Sequence, residues 1–203
     1  MARSVFGFLS RPGVHEEISG RDHYFRLPRN ADYRAWYRVR SESRSFLEKW
    51  EPTWEPDALT EASFRARVIR SAQEFASGIA VPLFLFSRHD QELIGGLTIG
   101  HIRRGAAQSC MIGYWMGERF AGQGHMTAGL NMVIGHIFGP LALHRIEAAC
   151  IPENDRSIRL LEKAGFQREG HMKEFLRIRG EWRDHLLYAL ISTNHNKSGK
   201  PVV

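Results

Sequence analysis

The sequence predicts a single α/β domain of the α+β type, a mixed, mostly antiparallel seven-stranded sheet with helices on both faces. Three observations carry that reading. Apolar runs of strand character alternate with stretches of helical periodicity. Several strands come in succession before a β-turn-α-β-α-β series, the order expected of a mixed sheet. The 203 residues, 43% hydrophobic and 25% charged, suffice for one core of ordinary size.

The elements follow in order. Residues 1–22 read as an irregular lead-in, 23–192 as the domain and 193–203 as a frayed, flexible tail. Tyr24–Leu27 reads as a strand closed by Pro28, and Asp32 as the cap of a helix running to Ser43. Leu47–Pro56 (LEKWEPTWEP) is aromatic and proline-rich and reads as a loop. Thr60 and Ser63 open a helix whose apolar stripe is Phe64, Val68, Ala72, Phe75, Ala76 and Ile79, with Gly78 near its end. Val81–Ser87 and Leu93–Ile102 form a hairpin around His89–Glu92, and Gln108–Met116 is the next strand. A helix runs from His125 to Phe138 and is stopped by Gly139-Pro140. Arg145–Ile151 is a strand, Pro152–Ala164 a helix ended by Gly165. Phe166–Ile178 and Asp184–Ser192 are the last two strands, turned at Arg179-Gly180.

Composition narrows the function classes. A net charge of +6 favours acidic partners such as nucleic acid, a ribonucleoprotein surface or a phosphorylated cofactor, and equally suits a plain solvated basic surface. The arginines are dispersed among Glu and Asp, and no nucleic-acid-binding motif is present. Cys110 and Cys150 sit in apolar strands without metal-ligand spacing, which predicts buried free thiols in a reducing cytoplasm and no metal site. No apolar run approaches the ~18 residues of a membrane helix, and the N-terminus lacks a signal-peptide core.

The chemistry centres on Arg119-Phe120-Ala121-Gly122-Gln123-Gly124, between a strand and a helix. Glycines let backbone N–H groups approach phosphate oxygens, and the helix N-terminus adds unpaired donors and the positive end of its dipole. The Thr127 hydroxyl and the Arg119 guanidinium are further donors. Neither GxxxxGK[ST] nor G-x-G-x-x-G is present. On spacing alone the loop is either a phosphate cradle or a tight connection.

R-x-x-G-x-G at Arg119–Gly124, after an apolar strand and before an amphipathic helix, resembles the pyrophosphate signature of the GNAT N-acetyltransferase superfamily. HRIEAACIPENDRSIRLLEKAGF (His144–Phe166) resembles that family's next strand and helix. NDRS at Asn154–Ser157, AGFQREGHMKEFL at Ala164–Leu176, GEWRDHLLYALI at Gly180–Ile191 and the segment WEPTWEP resemble its RimJ/RimL branch, nearest the ribosomal-protein-alanine N-acetyltransferases of the RimJ type. The resemblance spans roughly residues 23–192 and implies the GNAT fold, acetyl-CoA as cosubstrate, no metal, and direct attack of an amine on the thioester without a covalent enzyme intermediate.

The resemblance also implies a site. Backbone of the strand carrying Met111, Gly113, Trp115 and Met116 would meet the acetyl group and pantetheine arm. Arg119, Ala121, Gly122, Gln123, Gly124, His125, Met126 and Thr127 would surround the pyrophosphate. Asn154 would contact pantetheine as well as cap its helix. Ser157 is the candidate acid or hydrogen-bond donor to the leaving thiolate; its plain reading is a first-turn polar residue. Tyr114 is a second catalytic candidate, or a core aromatic. Many superfamily members carry a tyrosine seven residues after the Asn, where this chain has Leu161. Glu118, Glu51 and Glu55 are the carboxylates offered as base, each with a surface role as its alternative. The implied acceptor is the N-terminal alanine α-amine of a ribosomal protein. Relatives with a similar donor half acetylate polyamines, aminoglycosides or amino acids, and a non-catalytic acetyl-CoA sensor is the reading outside enzymology. A cytoplasmic location, no membrane partner and the superfamily's frequent homodimer complete the expectations.

Overall fold

The computed structural model describes residues 17–193. The expected lead-in up to residue 16 and the tail from 194 lie outside the described residues. Eight strands form one sheet in the order β1-β2-β3-β4-β5-β6-β8-β7. They are β1 (Glu17–Ser19), β2 (His23–Arg26), β3 (Val81–Ser87), β4 (Leu93–Arg103), β5 (Ser109–Met116), β6 (Arg145–Cys150), β7 (Gln167–Ile178) and β8 (Glu181–Ile191). Every neighbouring pair is antiparallel except β5–β6. The eighth strand is β1, inside the segment expected to be irregular. Three residues are too few to show a period. What makes them a strand is pairing with β2, which buries Ile18.

The helices are α1 (Tyr33–Glu42), α2 (Arg44–Leu47), α3 (Glu61–Ser77), α4 (His125–Phe138) and α5 (Asp155–Ala164). The α4 span matches its periodicity. α5 starts three residues later than expected because Pro152–Asn154 forms a turn, with the Asn154 N–H donating to Ile151 O at 2.9 Å. Asp32 precedes α1 but does not cap it. Its carboxylate accepts from both Arg26 terminal nitrogens, at 2.7 and 2.6 Å, and from the Arg29 N–H at 2.7 Å. A buried ion pair to β2 outcompetes the cap.

Thr60 caps α3 as expected, accepting from the Ser63 N–H, and Gly78 ends it in the left-handed conformation at φ 71°. The buried stripe of α3 differs. Phe64, Val68, Ser71 and Phe75 face inward, whereas Ala72, Ala76 and Ile79 are exposed. Both rows share Phe64, Val68 and Phe75 and fit helical spacing; the helix is turned so that Ser71, not Ala72, completes the buried row.

Two apolar clusters lie on opposite faces of the sheet. One joins Phe25, Leu85, Ile99 and Ile112 to Leu130, Ile134 and Ile137 of α4 and Leu161 of α5. The other joins Phe84, Phe86 and Leu93 to Trp36 of α1 and Phe64 of α3, with Trp115 packed against it. Strand alternation feeds both: Leu83 and Leu85 point to α4, Phe84 and Phe86 to α1 and α3. Phe64 is fully buried against Trp36 (ring centroids 4.8 Å apart). Phe64→Ala should cost about 3–5 kcal/mol, and Ile69→Ser, on the exposed face of α3, about 0.5 kcal/mol or less. Urea unfolding of both variants checks the direction in which α3 is turned.

Candidate active site

β5 and β6 pair only from Ser109↔Arg145 to Ile112↔Ala148. Beyond Ile112, β5 continues against β4 alone, Gly113 opposite Thr98 and Met116 opposite Gly95. β6 parts from it toward Cys150 and pairs only with β8. The parting opens a wedge in the sheet. Along one edge of Gly113–Met116 the backbone groups lose their ladder partners and are available to a ligand.

The wedge is the bottom of a cleft of about 530 Å³. Its donor wall is Ala121, Gly122, Gly124, His125, Met126 and Thr127 from the loop and start of α4, with Asn154, Arg156, Ser157, Arg159, Leu160 and Lys163 along α5. Its other wall is Phe46, Leu47, Trp50 and Glu51 from α2 and the segment after it. Tyr114, Trp115, Met116 and Phe120 lie between.

Gly122 and Gly124 adopt φ of 80° and 87°, and no atom lies within 4 Å of where a Cβ would stand on either. Gly124 is the N-cap of α4 and offers no side-chain cap. The first helical bond is donated by the Ala128 N–H to Gly124 O. The N–H groups before it have no helical carbonyl to meet. A cradle of free donors over open space suits a diphosphate.

The end of α5 supplies the second feature. The Asn154 side chain accepts from the Ser157 N–H at 3.1 Å, capping the helix. This fixes Ser157, itself 9% exposed, facing β5. Tyr114 crosses the wedge to meet it, with the two hydroxyl oxygens 2.7 Å apart. Burial pushes the Tyr114 phenol upward, the Ser157 hydrogen bond offsetting only part of that. The phenol therefore keeps its proton at neutral pH, and either hydroxyl of the pair can donate to the other. Leu161, where many relatives have tyrosine, is fully buried in the core. The paired hydroxyls in the cleft come from β5 and the first turn of α5. Burial also raises Cys150, and pushes Cys110 up to about 12; both are buried free thiols.

Several expected residues stand elsewhere. The Arg119 guanidinium is turned from the cleft. It pairs with Glu92 at the β3–β4 turn and lies 4.4 Å over the Phe120 ring. Its backbone O accepts from Gln123 Nε2 at 2.6 Å. Arg119 and Gln123 thus brace the loop without lining the cleft. Met111 and Gly113 also fall outside the lining. Glu118 is exposed and outside the cleft, with its N–H donating to Ser43 Oγ at 2.8 Å. Glu55 is exposed as well. Glu51 does line the cleft, but Arg40 grips both its oxygens at 2.8 and 2.6 Å, and Trp54 Nε1 donates to it at 2.7 Å. Trp115 is held by a close approach: its Nε1 lies 2.5 Å from where a Cβ on Gly96 would be.

Sequence reasoning missed Arg156, Arg159 and Lys163, which line one side of the cleft. Their i, i+3, i+7 spacing is a basic stripe on α5 that could have been read. It also missed Phe46 and Leu47, on a helix too short to show a period. Among the described residues no group of three His, Cys, Asp or Glu is placed to hold a metal ion, and no helix is long and apolar enough to cross a membrane.

Residues 23–167 match the family model described as acetyltransferase (GNAT) domain. The chain belongs to the GNAT acetyltransferase family. It is 35% identical over 162 residues to the ribosomal protein uS5-alanine N-acetyltransferase of Escherichia coli, spanning 80% of each chain. It is 34% identical over 154 residues to the probable N-acetyltransferase YjcK of Bacillus subtilis, spanning 76% of this chain and 85% of that one. Among solved structures it is similar to Mycobacterium smegmatis RimJ in complex with CoA-disulfide, with a TM-score of 0.80 and 35% identity over 87% of this chain and 88% of that one. The chain is an acetyl-CoA-dependent N-acetyltransferase with acetyl-CoA as cosubstrate, and the loop at Ala121–Thr127 fits that group's diphosphate. A non-glycine residue in the left-handed region is strained by ~1–2 kcal/mol, and a branched one more so. Gly124→Val should therefore weaken CoA binding by about ten-fold or more; calorimetry showing unchanged affinity would remove the loop from the donor site.

Proposed function

We propose that the protein acetylates the α-amine at the N-terminus of an alanine-starting ribosomal protein, by direct attack of the amine on the thioester carbonyl. One observation carries this. The donor loop, the Tyr114–Ser157 hydroxyl pair and an aromatic wall of different origin line one continuous cleft. The relatives named for ribosomal-protein alanine acetylation support the choice of acceptor.

Charge argues the same way. A polyamine or aminoglycoside needs unpaired carboxylates. The acidic residue lining the cleft is Glu51, already bound by Arg40, while Arg156, Arg159 and Lys163 line the other side. A multiply charged cation is disfavoured there; a peptide end with one amine is tolerated.

In this reading the neutral amine's lone pair forms the new C–N bond, and the C–S bond breaks with its electrons leaving on sulfur. The ammonium gives one proton to solvent before attack; the nitrogen loses a second as the amide forms, and that proton ends on the departing sulfur as the free thiol. Tyr114 donates to Ser157 Oγ, which leaves the Ser157 O–H to face the departing thiolate. Deprotonation is modest work, since an α-amine has a pKa of about 8, and thiolate departure is undemanding, since a thiol has a pKa of about 8.5. Positioning and backbone donors along Gly113–Met116 then supply most of the rate. A homodimer, frequent in the superfamily, remains part of the proposal.

Thiol release from acetyl-CoA should be fastest with peptides that start with alanine. Turnover confined to polyamines or aminoglycosides would reject the acceptor assignment. Ser157→Ala should lower kcat by about 10²–10³-fold, the scale of a lost transition-state donor, with CoA affinity within about two-fold. A variant with wild-type kcat would take Ser157 out of the reaction.

A further inference from the structure

His23 lies on β2 and His125 opens α4, 102 positions apart in sequence. His23 Nε2 and His125 Nδ1 are 2.8 Å apart, and the rings meet edge-on at 74°. His23 is only 8% exposed. A contact of this length between two ring nitrogens needs one proton between them. Burial, then the neighbouring His125, push His23 below the usual imidazole range, with Asp22 opposing them. His23 is therefore neutral and carries one ring proton.

The direction of the shared proton decides what His125 offers to the cleft it lines. With Nδ1 turned to His23, its Nε2 lies on the far edge of the ring. The Phe120 ring packs edge-on against His125 at 6.3 Å and limits its rotation. Were neutral His125 to donate Nδ1–H to His23, Nε2 would be a bare acceptor, repelled by phosphate oxygens. In the opposite arrangement Nδ1 accepts and the proton of His125 must sit on Nε2.

We propose that His23 is a positioning residue for the donor site: it donates Nε2–H to His125 Nδ1 and so obliges His125 to present Nε2–H to the diphosphate of acetyl-CoA. The inference rests on the Gly122–Thr127 loop being the diphosphate cradle. It assigns to β2, on the far side of α4, a part in holding the nucleotide end of the donor.

Ring-nitrogen NMR of the protein with CoA bound should show both histidines as Nε2–H tautomers; His125 protonated on Nδ1 with a bare Nε2 overturns the proposal. Calorimetry with CoA should show about three- to ten-fold weaker binding for His23→Phe and His125→Ala, the scale of one donor to a charged group. His23→Gln, which keeps a donor, should restore most of the loss. Acetyl-pantetheine has no diphosphate, so its kcat/KM should be the same in both His23 variants; a merely structural defect would lower it too and overturn the proposal. If His125→Ala weakens CoA and His23→Phe does not, the positioning role falls while the cradle stands. If Gly124→Val binds CoA like the wild type, the cradle itself falls.

Discussion

The site depends on β5 and β6 ceasing to pair after Ile112. Parallel pairing brings the two strands side by side as far as Ala148, and the next four residues of β5 are held by β4 alone. A sheet edge exposed inside a protein leaves polar backbone groups that must find partners. Here Tyr114, Trp115 and Met116 line the cleft, where a ligand can supply them. Both helices that follow these strands begin at the same end of the sheet, so α4 and α5 turn their N-termini toward the opening. The phosphate cradle and the Asn154–Ser157 turn are two consequences of one break in the ladder.

The two apolar clusters hold the opening at fixed width. On one face Ile112, Leu130, Ile134 and Leu161 lock α4 and α5 to the sheet. On the other, Trp36, Phe64 and Phe84 anchor α1 and α3. The segment between α2 and α3 has little core of its own. Its hold is polar: Arg40 binds Glu51 bidentately and lies 4.3 Å over the Trp54 ring, and the Arg179 N–H at the β7–β8 turn donates to Glu51 O at 3.3 Å. Arg40 is nearly buried, and losing Glu51 would strand its charge. Breaking such a pair is costly even where the intact pair adds little. The wall formed by α2 and the segment after it is thus fastened by directional contacts more than by a core of its own.

Much of this was legible in the sequence because it is local. The period of α4, the glycines that accept positive φ and the Asn154 cap each declare themselves within a few residues. Asp32 shows how a local rule loses: its capping signal was correct in type, but Arg26, six positions away, takes the carboxylate. Arg119 was assigned to phosphate by motif, whereas the fold brings Glu92, 27 positions upstream, within reach of its guanidinium. β1 exists only because β2 pairs with it. The α3 stripe was ambiguous by one helical position, which packing resolves and periodicity does not. His23 against His125 and Tyr114 against Ser157 join residues 102 and 43 positions apart. Neither half of either pair carries a sign of the other.

The charge around the cleft bears on the one step for which no residue is assigned. Two helix N-termini, Arg156, Arg159 and Lys163 give it a positive field. Such a field favours a diphosphate and a departing thiolate, and it disfavours an ammonium. An α-amine approaching the thioester therefore loses its proton more readily than it does in water, by the same like-charge effect that lowers the pKa of a lysine beside another cation. A general base then has little to contribute. The placement of Glu118 and Glu55 outside the cleft, and the capture of Glu51 by Arg40, fit a site that handles the acceptor's proton by field and solvent. If the acceptor is the α-amine proposed above, its proton handling and the exclusion of a polyamine follow from one electrostatic cause.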